Sequence, residues 1–351
     1  MEMTSAARLG RLLTATLCAA AGAARCAADP ELTPVRDPSP HTVTFVTVEE
    51  DVRLEVLDWG GTGRPIVLLA GSGHSAHVFD EIAPRLTDRA HVYGITRRGY
   101  GASSQPESGY DEQRLADDVL HVLDTLRIAA PVVAGHSMAG GELTTLGGQH
   151  SDRLAGLVYL DALGDPTDWP ASDPAYMELA RKLPPSIARE RCTQDRGTFS
   201  GFRAWQMCTE GFAIPESELR STCTTNADGT MGRHKTPRRI HEAIGAGVRK
   251  RDYSKIRVPV LALYEVPQRP DAPPAPHEPA APTDEERAAI AAFRAATRVY
   301  VDRWRANLER GVPDARVVDL PGAGHFVFLK CETEVVREIQ AFVARLSPVA
   351  R

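Results

Sequence analysis

Gly135-His136-Ser137-Met138-Ala139-Gly140 follows a short apolar run, Pro131-Val132-Val133-Ala134, and precedes a stretch that can form a helix. The order is strand, sharp turn, helix, with a serine at the apex. A serine hydroxyl is a poor nucleophile until a tight turn holds it out beside a base and near backbone N–H donors. Gly135, Ala139 and Gly140 are small enough for strand and helix backbones to approach closely while Ser137 takes a strained conformation.

Outward from this turn lie three further informative strings. Leu320-Pro321-Gly322-Ala323-Gly324-His325-Phe326 closes the last expected strand and places an imidazole on a glycine-rich loop. Ala70-Gly71-Ser72-Gly73 follows the third strand, and Arg97-Arg98-Gly99-Tyr100-Gly101-Ala102-Ser103-Ser104 follows the fourth. The serine turn resembles the nucleophile elbow of the α/β-hydrolase family, with Ala139 where the usual G-x-S-x-G pattern has its last glycine. The His325 string resembles the histidine loop of the same family, and the chain order Ser, acid, His fits it. The resemblance implies an α/β fold, a mostly parallel eight-stranded sheet with helices on both faces, and a cap inserted after the sixth strand.

The pattern of the remaining chain agrees with that expectation. Strands are expected at Thr42 to Val48, Val52 to Trp59, Pro65 to Ala70, His91 to Thr96, Pro131 to Gly135, Leu157 to Leu160, Val258 to Tyr264 and Ala315 to Leu320. Arg53, Glu55 and Leu57 alternate with apolar neighbours as in a half-exposed edge, whereas Ile66-Val67-Leu68-Leu69 is apolar throughout, as a strand covered on both faces should be. Leu115, Val119, Val122, Leu123 and Leu126 line one face of a helix; Val335, Ile339, Phe342, Val343 and Leu346 line another. Thr283 with Glu286 forms a capping-box pattern opening a helix that Gly311 ends. Residues 29–162 and 256–351 thus form the two parts of a core. Residues 163–255, which lack a strand-helix rhythm, read as a cap, and the proline-rich stretch 267–282 as a loop.

Composition narrows the function classes. With 42% apolar and 25% charged residues in 351, the chain is that of an ordinary globular protein. Arg8 and Arg11 precede an apolar run from Leu12 to Ala21 that is too short for a stable membrane anchor, and small residues end at Ala28, so residues 1–28 read as a secretory signal peptide. A secreted or periplasmic protein is expected, without stable membrane insertion. Cleavage there removes three arginines and one glutamate, taking the formal charge from −5 to −7. No basic tract remains for nucleic acid. Cys192, Cys208, Cys223 and Cys331 survive cleavage, and an even number in an exported chain favours two disulfides, with the connectivity open. No cysteine or histidine spacing suggests zinc, and no metal or organic cofactor is expected.

The resemblance implies specific roles. Ser137 is the expected nucleophile and His325 its base. His136 is read as a packing and hydrogen-bonding residue, His74, His77 and His150 as surface or pocket-lining groups, and Arg97 and Arg98 as solvated. Most members place an acid after the seventh strand, three residues past a glycine, but here that position holds Gln268, with Glu265 where the glycine belongs. The end of the sixth strand is the other known location, and Asp161 occupies it. Asp161 is therefore the expected acid, Glu265 the alternative and Asp271 a third. The backbone amides of Ser72 and Met138 are expected to form the oxyanion hole. The implied activity is hydrolysis of a small to medium carboxylic ester through an acyl-enzyme. The same residues also serve lactones, thioesters, amides and carbon–carbon cleavage, and a ligand-binding protein with vestigial turnover is the reading from a different class.

Overall fold

The computed structural model describes residues 41–184, 192–268, 279 and 281–347. Residues 1–28, Asp271 and most of the proline-rich stretch lie outside them. Eight strands form one sheet: β1 (Thr42–Glu49), β2 (Val52–Gly61), β3 (Arg64–Leu69), β4 (Ala90–Ile95), β5 (Val132–His136), β6 (Gly156–Leu160), β9 (Val260–Val266) and β10 (Arg316–Pro321), in the order β1-β2-β4-β3-β5-β6-β9-β10. β1 and β2 pair antiparallel, as do β2 and β4, and every other neighbouring pair is parallel. Parallel neighbours need crossovers, which α1 (Glu112–Thr125), α2 (Ala139–Gln149) and others supply. All five residues of β5 and of β6 are buried, as a strand covered on both faces requires.

Two apolar layers sandwich the sheet. On one side Val119, Val122, Leu123, Leu143 and Leu146 from α1 and α2 pack with Leu157, Val260, Trp304 and Leu308. On the other, Phe79, Leu86, Phe328, Val335, Ile339 and Phe342 pack with Leu68, Val158 and Leu261. These residues come from the 3-10 turns at Ala76–Phe79 and Ala83–Leu86 and from the carboxyl-terminal helices. The strands therefore bury opposite side chains into different cores, and that fixes their register.

Between β6 and β9 the chain builds its own elements: α3 (Pro174–Arg181), α4 (Phe199–Glu210), α5 (Glu216–Thr222), the strand pair β7 (Cys223–Thr225) and β8 (Met231–His234), and α6 (Arg238–Ala246). Cys192 and Cys208 are disulfide-bonded to each other, Cys331 is also disulfide-bonded, and Cys223 is free among the described residues, so of the expected pairings within the set of four only Cys192 with Cys208 is seen. The long helix α7 (Asp284–Gly311) opens on the full capping box, with Thr283 and Glu286 each bonding the other's backbone N–H. A one-turn helix, α8 (Val327–Lys330), and the 14-residue α9 (Glu332–Arg345) close the described chain.

Two surface expectations are corrected. β2 lies second from the edge, and Glu55, 4% exposed, is buried; it accepts from the Thr96 hydroxyl at 2.7 Å. Arg97 and Arg98 are not solvated. Arg97 pairs with Glu142 and donates to the carbonyl of Ala70 at 2.9 Å, while Arg98, fully buried, donates to Asp118 at 2.6 and 2.8 Å. Paired carboxylates offset part of the desolvation penalty that made burial improbable from composition alone.

Candidate active site

β5 ends at His136, and Ser137 follows at φ 55°, a left-handed conformation that a non-glycine residue holds only under constraint. The constraint is visible in the packing. A Cβ added at Gly135 would lie 2.9 Å from Cβ of Ala139, and one at Gly140 would overlap the carbonyl of Ala162. Ala139 itself is fully buried, so one methyl fits where the common pattern has glycine. The amide of Ser137 donates to Leu160 O at 3.2 Å, which anchors the turn to β6.

The end of β6 makes a second such turn. Asp161 sits at φ 47°, its amide donating to Leu263 O at 2.8 Å. Its side chain is thereby aimed along the carboxyl edge of the sheet, where Oδ1 accepts the Glu265 amide at 3.1 Å and Oδ2 meets His325 Nδ1 at 2.6 Å. On the far side of the ring, His325 Nε2 lies 2.8 Å from Ser137 Oγ. A carboxylate can only accept, so Nδ1 carries the proton and Nε2 is left to accept from the serine hydroxyl. Three segments, with His325 lying 164 and 188 residues from Asp161 and Ser137, thus form one hydrogen-bonded line.

His136 supports that line from below. A carbonyl can only accept, so His136 Nε2 carries a proton and donates to the carbonyl of His325 at 2.9 Å. Burial, followed by the neighbouring His325, holds its pKa well below the usual histidine value. The ring also fills the space over Gly71, where an added Cβ would lie 2.7 Å from His136 Nδ1 and 3.1 Å from Ser137 Cβ. Loop 71–75 is therefore packed directly on the serine turn. Met138 is the residue before α2, so its amide is at a helix N-terminus beside Ser137.

The other acid candidates occupy different places. Glu265 is at the end of β9, and burial, with repulsion from Asp161 added, raises its carboxyl to about 7. Gln268 packs beneath the histidine loop, against Gly322. It fills the common acid position as a spacer. Asp271 lies outside the described residues.

Sequence reasoning gave no role to the groups surrounding loop 71–75. Glu218 of α5, wholly buried, bonds His74 Nδ1 at 3.0 Å and the amide of Ser75 at 3.1 Å. His77, expected near the surface, lies between Asp80, at 2.9 Å, and Glu55, at 3.6 Å. Its pKa rises to about 10: burial opposes protonation, but the two carboxylates outweigh it. His41, His77 and Asp80 are the one group among the described residues with metal-ligating geometry, their ligand atoms lying within 4.8 Å of one another. His77 Nδ1 bonds Asp80 at 2.9 Å, and His41 Nδ1 lies 3.1 Å from the same carboxylate. No spacing rule links residues 41, 77 and 218; only the fold brings these segments together.

Comparison with known proteins places this geometry in a family. The model of the alpha/beta hydrolase family matches residues 66–338. A putative non-heme haloperoxidase of Mycobacterium phage D29 is 34% identical over 103 residues, 29% of this chain and 37% of the relative. A 2-(acetamidomethylene)succinate hydrolase of Mesorhizobium japonicum is 29% identical over 101 residues, 29% of this chain and 36% of the relative. The alignments thus span little more than a third of these curated relatives. Among solved structures, an E-2-(acetamidomethylene)succinate hydrolase superposes with TM-score 0.58 at 20% identity, covering 87% of this chain and 99% of that one. A marine microorganism esterase gives TM-score 0.55 at 19% identity, covering 86% of this chain and all of that one (100%). Family match and shared architecture agree, and the chain belongs to the α/β-hydrolase family.

Proposed function

We propose that the protein is a serine hydrolase that cleaves a small to medium carboxylic ester through an acyl-enzyme on Ser137. The observation that carries this reading is the line Ser137 Oγ, His325, Asp161, with contacts of 2.8 and 2.6 Å. His325 takes the hydroxyl proton as Ser137 attacks the ester carbonyl. Asp161 holds the ring in the required tautomer and offsets the imidazolium charge that forms. The amides of Ser72 and Met138 donate to the developing oxyanion. The proton then passes from His325 to the leaving alcohol, and water releases the acyl group by the same steps in reverse. A serine at the elbow argues against the alkyl-enzyme chemistry that aspartate supports in this fold.

Residues 163–255 serve as a cap in this reading. Their side chains reach both loops beside the serine: Ile240 and Ile244 pack with Tyr100 and Met138, and Phe199, Ile214 and Leu219 pack with Phe326 and Leu329. Export through residues 1–28 completes the proposal, supported by the Cys192–Cys208 disulfide, a bond favoured in oxidising compartments. Lactones and thioesters present the same electrophilic carbonyl and remain within the proposed chemistry.

The test is labelling with a fluorophosphonate followed by peptide mapping, together with turnover of a short-chain nitrophenyl ester. The adduct is expected on Ser137, with Ser137→Ala lowering kcat on the order of 10⁶-fold. Stoichiometric ligand binding by a folded protein that neither labels nor turns over would replace this reading with a binding protein.

A further inference from the structure

Loop 71–75, which packs on Ser137 at Gly71 and supplies the Ser72 amide in the proposed mechanism, is held largely by the segment between β6 and β9. His234 at the end of β8 lies 3.0 Å from the carbonyl of Gly73 and donates to it through Nε2. Tyr100 OH stands between Ser72 Oγ, at 3.5 Å, and His241 Nδ1 of α6, at 3.4 Å. The strongest link is Glu218 of α5. Its Oε1 bonds His74 Nδ1 at 3.0 Å, the Ser75 amide lies 3.1 and 3.2 Å from its two oxygens, and the Ser75 hydroxyl donates to Oε2.

Glu218 is wholly buried, and its contacts with the loop all fall on two consecutive residues. A buried carboxylate is costly unless hydrogen bonds replace its water, and a neutral side chain of the same size would pack there without that cost. What the charge adds is direction: it fixes one backbone amide, one hydroxyl and one imidazole at once. The fixed imidazole in turn stands edge-on to Phe326, ring centroids 5.3 Å apart, and Phe326 directly follows His325. Glu218 thus touches the supports of both the oxyanion loop and the histidine loop without reaching the reacting atoms.

We infer that Glu218 is a positioning residue for oxyanion stabilisation: docked against loop 71–75, it holds the Ser72 amide in register with Ser137, so the oxyanion donor is complete only while α5 is seated. The inference rests on the serine-hydrolase reading. A donor that contributes only in the transition state affects kcat and leaves ground-state binding alone.

The experiment compares wild type, Glu218→Ala, Glu218→Gln and Ser75→Ala on a nitrophenyl ester. It also measures inhibition by a trifluoromethyl ketone, which forms a tetrahedral adduct, and by the product acid, which does not. Loss of an oxyanion donor costs roughly 10²–10³-fold in kcat. Glu218→Ala is therefore expected to lower kcat about 100-fold with KM within a factor of about three, and to weaken the ketone in parallel while leaving the product acid unchanged. Glu218→Gln, which can still accept from the Ser75 amide, and Ser75→Ala, which keeps that amide, should each fall between Glu218→Ala and wild type. Unchanged kcat and ketone affinity in Glu218→Ala overturns the inference, and so does equal weakening of ketone and product acid, which would mean that Glu218 only shapes the pocket. If Glu218→Ala does not fold, a fall of both Glu218→Gln and Ser75→Ala below wild type in kcat and ketone affinity supports the inference, and the absence of that fall overturns it. Wild-type protein that neither turns over nor labels at Ser137 removes the hydrolase reading itself, and this inference with it.

Discussion

Ser137 and Asp161 are both non-glycine residues in left-handed backbone, each directly after a buried parallel strand. Such positions cost on the order of 1–3 kcal/mol apiece and persist where the surroundings dictate them. Here the two turns point a hydroxyl and a carboxylate at opposite nitrogens of one ring. Asp161→Asn keeps the shape but offers His325 Nδ1 an amide that can hold the wrong tautomer, so kcat should fall on the order of 10³–10⁴-fold in steady-state assays. Glu265→Gln should retain most of the activity; the opposite pattern would make Glu265 the acid.

Glu265 also yields a pH prediction. Burial first, then Asp161, raises its carboxyl to about 7, while His325 and Lys330 pull it down. The folded state therefore keeps a proton that the unfolded chain releases near the ordinary value of 4.5. The associated stability is fully present below that value and is lost as pH rises through about 7. Urea midpoints of Glu265→Gln relative to wild type should accordingly rise between pH 5 and pH 8, and a constant difference would refute the shift.

Among the secondary-structure elements, the segment between β6 and β9 is assembled from short pieces, with α3, α5 and α6 running 8, 7 and 9 residues. Helices this short are not stable alone and need tertiary contacts or cross-links. The Cys192–Cys208 bridge closes a loop of 16 residues onto α4. By loop-closure entropy a bridge of this span contributes about 3 kcal/mol. The double variant Cys192→Ser/Cys208→Ser should lose about that much in thermal or urea unfolding, with protease cutting first within residues 192–210. The longest helix, α7, was recognisable from Thr283 and Glu286 because a capping box is local chemistry. The segment's helices gave no comparable signal, since their apolar faces are small and fit partners far away in sequence.

Across the whole molecule, Arg98 ties three regions together. Fully buried, it bonds Asp118 of α1 at 2.6 Å and Glu49 at the end of β1 at 3.1 Å, from the loop after β4. Asp118→Ala leaves that guanidinium without its main partner and should destabilise the fold by about 3–5 kcal/mol, measured by urea unfolding. Catalytic constants of the remaining folded protein should change little. All eight strands, the serine turn and the histidine loop were legible in the sequence, because uninterrupted apolar runs, small residues at a tight turn and glycines beside a histidine are dictated by backbone sterics and burial within a few residues. Arg97, Arg98 and Glu55 were misjudged for the complementary reason: a charged side chain reads as solvated until its partner is known, and Glu142, Asp118 and His77 lie 20 to 45 residues away. Sequence alone thus determined the fold family and two members of the hydrogen-bonded line. The meeting of Asp161 with His325, the neutral Gln268 under the histidine loop and the grip of Glu218 on loop 71–75 were decided only by tertiary structure, because each depends on distances between strand ends and loops that no local rule encodes.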